Sequence, residues 1–188
     1  MMSGRLDVKS ACNGRDAGLQ NGYFTRGVLD PETNQLRGDL IGKPAAYLLE
    51  RARIARPGVV KLIVVPVERE GIVDGPWGRE KLAPIVSLFT VSGHEEGRAL
   101  CRRVLENMGA GHTAIIHTKD RNLALRFAAE MPASRILHNC GGSTGSIGDG
   151  NGPRHSWTLG CGSWGRTSTT DNVGHENLLN IKRLMEGA

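Results

Sequence analysis

Between Val59 and Asn139 the chain alternates β-branched apolar runs with stretches whose apolar residues recur at helical spacing, and this alternation constrains the fold most strongly. Residues 59–67 (VVKLIVVPV) form an almost unbroken apolar run, which suits a strand covered on both faces as in parallel sheets. Residues 82–91 form a second run, in which Pro84 demands an edge, a bulge or a late start. Ser92-Gly93-His94-Glu95 has the spacing of a capping box. It opens a predicted helix with the apolar stripe Leu100, Val104, Leu105 and Met108, closed by Gly109. Residues 112–118 predict a third strand. Asp120 caps a second helix with Leu123, Ala124, Phe127, Ala128 and Met131 on one face, stopped by Pro132, and residues 135–139 predict a fourth strand. This order calls for right-handed crossovers and an α/β fold, with one mostly parallel sheet and flanking helices.

The flanks are less regular. Residues 1–38 read as a loose lead-in with at most one short helix, and Asp30-Pro31-Glu32-Thr33-Asn34 has turn chemistry. Lys43-Pro44 opens a helix carrying Ala45, Ala46, Leu48, Leu49 and Ala52. Beyond the fourth strand, residues 140–165 hold nine glycines. Residues 174–185 then predict an amphipathic stretch with Leu178, Leu179, Ile181 and Leu184. No internal repeat is visible.

A chain of 188 residues with 39% hydrophobic content can bury a core without staples. The net charge of +5 comes from 18 Arg and 6 Lys scattered without a block, and aromatics are too few to interleave with them, which argues against nucleic-acid binding. No run approaches ~20 apolar residues, so no membrane span is predicted. Residues 1–12 carry no secretory pattern, so the expected location is cytoplasmic. Cys12, Cys101, Cys140 and Cys161 lack C-x-x-C spacing and read as free thiols in a reducing compartment. Cys140, His155 and Cys161 match no zinc motif.

The glycine-rich tract follows a strand, where ligand sites of open α/β sheets lie. It has neither P-loop spacing nor the strand–glycine–helix order of a dinucleotide fingerprint, and Pro153 follows its last closely spaced glycines. Close packing against another segment explains it better. Glu80, between a Pro-Trp-Gly turn and an apolar strand, could bond a ribose or act as a base, or could be a plain surface glutamate. His112, behind Gly109-Ala110-Gly111, could meet a substrate at a strand end or merely be satisfied by backbone bonds. Cys140 and Cys161 could be nucleophiles, but no nearby base is identifiable, and inert buried thiols fit better.

Six segments together resemble the CoA-acylating aldehyde dehydrogenases, including the aldehyde dehydrogenase half of bifunctional aldehyde–alcohol dehydrogenases. They are DLIGKPAA (39–46), REKLAPI (79–85), GAGHT (109–113), MPASRIL (131–137), TLGCGSWG (158–165), and DNVG (171–174) running into NLLNIK (177–182). The resemblance implies that residues 39–188 correspond to the catalytic domain beyond its nucleophilic cysteine, without the nicotinamide-binding domain. Cys12 is the only thiol before the matching region, and Cys161 matches a non-nucleophilic cysteine of the glycine-rich motif. In the complete family a thiol attacks the aldehyde, hydride passes to NAD or NADP, and the thioester is handed to coenzyme A. By resemblance Glu80 falls near the cofactor ribose and His112 beside the thioester. The resemblance further implies that this chain alone is inactive and binds neither cofactor tightly. It also implies association with itself, with a cofactor-domain chain or with a full-length relative. The alternative is a non-catalytic interaction module built on the same fold.

Overall fold

The computed structural model describes residues 24–55, 58–67 and 75–187, which fall in two compact units on either side of the Thr90–Val91 bond. In the first unit a helical turn over 24–28 (α1) leads into a turn organised by Asp30, whose Oδ1 accepts the Glu32 and Thr33 amides at 2.9 Å each. Those two backbone donors hold the Asp30 carboxyl below its ordinary value. Asn34 takes the left-handed conformation (φ 54°), and Leu29 bridges Leu36 across the turn. Pro44 stands just ahead of helix α2 (Ala45–Arg51), and its missing amide costs the helix nothing there.

Two parallel strands complete this unit: β1 (Ile63–Pro66) and β2 (Ile85–Leu88), with Ile63 opposite Ile85. Pro84 produces a late start, since β2 begins at the next residue and the Pro84 carbonyl accepts the Ile63 amide at 2.9 Å. The core gathers Phe24, Val28, Leu29, Leu40, Leu48, Leu49, Ala52, Val65 and Ile85. The lead-in therefore builds the core from residue 24 onward, where a loose segment was expected. Gly27 explains how: a Cβ there would come within 2.7 Å of the Ala52 Cα, so only glycine lets these two segments approach so closely. The apolar run at 59–67 is not covered on both faces either. Only Val65 is buried and Val59 is 90% exposed, since among the described residues the strand has one hydrogen-bonded neighbour, while Val60, Ile63 and Val67 are only partly buried against the core.

The second unit begins with α3 (His94–Asn107). Its cap differs from the expected box by one residue: the Ser92 amide and hydroxyl both donate to Glu96 Oε2 at 2.6 Å, because Gly93 is the N-cap and Glu96 the third helical residue. Glu95 instead pairs with Arg98, which also reaches Glu130 of the next helix at 2.9 Å. Met108 lies past the helix end and is exposed, so the apolar stripe reduces to half-buried Leu100, Val104 and Leu105.

Strand β3 (Gly111–Ile116), helix α4 (Arg121–Glu130) and strand β4 (Ala133–His138) form a βαβ unit, with Thr113 opposite Arg135 and Ile116 opposite His138. Asp120 caps α4 as expected, accepting the Asn122 and Leu123 amides at 2.8 and 3.2 Å. Ala114, Phe127, Met131 and Ala133 make the core, with Leu105, Ile116 and Ile136 against it. Helix α5 (Gly142–Ser146) follows.

The fold class is α/β with parallel strands and helices, but the four strands do not share one sheet. They form two two-stranded parallel sheets, β1–β2 and β3–β4, among the described residues. Each pair closes around its own apolar cluster, so local crossovers satisfy each core separately. The stretch at 174–185 contains only a 3-10 turn (His175–Leu178), and Leu178, Ile181 and Leu184 are exposed. A short helix is marginal in water unless its apolar face is packed, and no described surface covers this one.

Candidate functional site

His112 is the second residue of β3 and is exposed. Its Nδ1 lies 2.8 Å from the hydroxyl of Thr113, in place of the expected backbone partner. Thr113 in turn accepts a hydrogen bond from Nε of Arg135, 3.3 Å away on the paired strand. Arg135 is only 6% exposed. Its Nη1 donates to the Thr170 carbonyl at 3.2 Å and its Nη2 lies 4.0 Å from the Cys161 sulfur. Among the described residues no carboxylate pairs with this guanidinium.

Thr170 and Cys161 belong to a hairpin over 158–173 laid against the start of β3. Its rungs are Gly160 N to Asp171 O, Gly162 N to Thr169 O and Val173 N to Thr158 O, each 2.8 Å. The glycines of TLGCGSWG make this packing possible. A Cβ on Gly165 would strike the Cys161 Cβ, and one on Gly160 would strike the Thr169 carbonyl. The close-packing reading of the glycine-rich tract is thus the one the structure supports. Buried Asn172 anchors the hairpin, donating from Nδ2 to the carbonyls of Ser146 (3.0 Å) and Arg154 (2.8 Å). Arg154 forms a bidentate ion pair with Glu176, which lowers the Glu176 carboxyl.

The tract visits both ends of the β3–β4 sheet. Its first residues lie at the carboxyl end, where Asn139 (φ 56°) donates from Nδ2 to the Thr118 carbonyl at 2.8 Å and accepts the Thr118 amide at 2.9 Å. His138 Nε2 lies 3.0 Å from the same carbonyl. The hairpin returns to the amino end, against Gly111. His112 sits four positions before the partner of His138, roughly 13 Å along the strand at ~3.3 Å per residue. His112 therefore belongs with the hairpin and not with the strand-end cluster.

Cys140 and Cys161 are half-buried, and neither thiol is bonded to a histidine among the described residues. Cys12 lies outside the described residues. No group of three His, Cys, Asp or Glu among the described residues is placed to hold a metal ion. No described helix is long and apolar enough to cross a membrane.

Glu80 lies in the first unit, between the 3-10 turn Pro76–Gly78 and β2, and is exposed. Its neighbour Lys81 turns inward, donating to the carbonyls of Trp77 (3.0 Å) and Arg79 (2.6 Å), and burial lowers the Lys81 ammonium below its ordinary value. Ser87 adds a 2.6 Å bond to the Trp77 carbonyl. The segment is pinned from within while the Glu80 carboxylate stays available. A hollow of about 380 Å³ on α2, lined by Ala46, Leu49, Glu50, Arg53, Ile54 and Val60, contains none of these candidates.

Thr113 and Arg135 escaped the sequence reading. The available signal was a lone charge at 135, in step with Ala133 and Leu137 along a period-two strand, which puts it on the buried face.

No family model matches the chain. An aldehyde-alcohol dehydrogenase of Streptococcus pneumoniae is 38% identical over 151 residues, 80% of this chain and 17% of that protein. A succinate-semialdehyde dehydrogenase (acetylating) of Clostridium kluyveri is 32% identical over 178 residues, 88% of this chain and 38% of that protein. Among solved structures, an acetylating aldehyde dehydrogenase from Geobacillus thermoglucosidasius superposes with a TM-score of 0.81 at 34% identity, over 90% of this chain and 37% of that one. The chain thus spans well under half the length of these relatives.

Proposed function

The chain shares descent and fold with acylating aldehyde dehydrogenases over about 80% of its length, and on that premise we propose that it supplies the acyl-handling part of such an enzyme in the cytoplasm, joined to a partner that carries the nucleophilic thiol and the nicotinamide site. The carrying observation is the glycine hairpin locked onto β3 beside His112, in a chain that superposes on an acetylating aldehyde dehydrogenase. In this reading His112 serves the thioester group and Glu80 accepts hydrogen bonds from the nicotinamide ribose. NAD or NADP, when bound, supplies the hydride acceptor, and coenzyme A takes the acyl group of a small aldehyde. A pinned loop that presents one carboxylate supports a ribose contact and little more, which fits a share of a cofactor site. Covalent catalysis needs a thiolate within attack distance of the aldehyde, which in this reading the partner supplies.

Co-expression with a separate chain encoding the remaining part of the Streptococcus pneumoniae relative tests this reading. The expected result is aldehyde- and coenzyme A-dependent reduction of a nicotinamide by the pair, with none by this chain alone. Robust turnover by the chain alone that is lost in Cys12→Ser would overturn it. A second reading, a non-catalytic interaction module, draws on Leu178, Leu179, Ile181, Leu184 and Met185, all more than 60% exposed. Large apolar patches mark interaction surfaces, and a two-fold dimer is the simplest cover. Sedimentation across a wide concentration range decides that point: a sharp monomer throughout removes the module reading.

A further inference from the structure

We propose that Arg135 and Thr113 act as a positioning relay that holds neutral His112 with its ring proton on Nε2, so that the exposed edge of the ring is a hydrogen-bond donor. The inference rests on the reading that His112 serves the acyl group, and it specifies what His112 offers: a donor to an oxygen atom, such as the carbonyl oxygen of a thioester.

Counting the protons on the three side chains assigns the tautomer. A guanidinium is always charged and only donates. Arg135 Nε therefore uses one lone pair of the Thr113 hydroxyl at 3.3 Å. Among the described residues the hydroxyl's only other hydrogen-bonding neighbour is His112 Nδ1, at 2.8 Å. If Nδ1 carried the ring proton, the hydroxyl proton would have no acceptor among the described residues and would have to turn to solvent. If Nδ1 accepts, every proton in the chain Arg135–Thr113–His112 is used. A neutral imidazole that accepts at Nδ1 carries its proton at Nε2, and the partner of one ring nitrogen thereby sets the chemistry of the other.

Arg135 is suited to begin such a relay because its surroundings orient it. It is buried, its far nitrogens are held by the Thr170 carbonyl and the Cys161 sulfur, and the strand register places it opposite Thr113. A fixed donor aimed at the place where negative charge develops on an oxygen is the usual source of electrostatic stabilisation in acyl transfer.

The test is nitrogen-15 NMR of the full chain labelled in histidine, with the His112 signals assigned by their loss in His112→Gln. The expected result is the Nε2–H tautomer, with the Nδ1 resonance shifted by the hydroxyl. That shift should vanish in Thr113→Val and return in Thr113→Ser, while backbone spectra show all variants folded. The Nδ1–H tautomer in the unaltered chain, or His112 signals identical in Thr113→Val, would overturn the relay. The tautomer is read without turnover, so the two proposals fail separately. The expected tautomer in a chain that never restores activity to its partner would sink the enzyme reading and leave the relay. Restored activity with the Nδ1–H tautomer would do the reverse.

Discussion

The α-carbon of Gly111 lies against the carbonyl of Cys161 so closely that a Cβ on Gly111 would overlap the oxygen, and Gly111 also has φ +82°. One residue therefore meets two independent demands, a left-handed backbone and an absent side chain, at the point where the hairpin docks on β3. Gly150 separates them: it has φ +74° with nothing within 4 Å of its would-be Cβ.

Gly150→Ala should cost only the backbone strain, about 1–2 kcal/mol. Gly111→Ala should cost roughly 3 kcal/mol or more, since the hairpin must also shift. Denaturant unfolding of the two variants side by side checks this. Equal losses would mean that the contact carries no energy.

Asn172→Ala removes two donated bonds from a buried site and leaves the carbonyls of Ser146 and Arg154 without that partner. The expected loss is about 1–3 kcal/mol. Hydrogen exchange should quicken at Gly160 and Gly162, whose amides belong to the hairpin rungs, before it quickens in β3.

Asp120→Ala deprives α4 of its N-cap and should cost about 1 kcal/mol, whereas Asp120→Asn, which keeps an acceptor, should cost far less. Thermal unfolding compared for the two distinguishes a cap from a charge effect. An equal loss in both would point to the charge.

Acidification should weaken the chain through Asp30 and Glu176. Both carboxyls lie below their ordinary values of 3.8 and 4.5, the first through the Thr33 and Glu32 amides, the second through Arg154. A group depressed in the folded state stabilises fully above its unfolded value and loses that contribution as pH falls through its folded value. The urea midpoint should therefore drop as pH is taken from about 5 toward 2. Asp30→Asn with Glu176→Gln should flatten that fall, and an unchanged slope would assign it elsewhere.

Residue order alone makes the local elements of the second unit legible. Asp120, Pro132 and the apolar stripe of Leu123, Ala124 and Phe127 are instructions read over one or two helical turns, and α4 obeys them. It also specified the tight packing of the glycine motif and carried the family resemblance, because both reside in residue identity. Contact order set the limit. Whether β2 pairs with β1 alone, whether residues 24–29 fold into a core, and whether Leu178 and Leu184 are covered depend on partners distant in the chain. The relay behind His112 belongs to this second class. Arg135 and Thr113 are twenty-two residues apart, and only the parallel register of β3 and β4 brings a buried guanidinium to the hydroxyl that holds the imidazole.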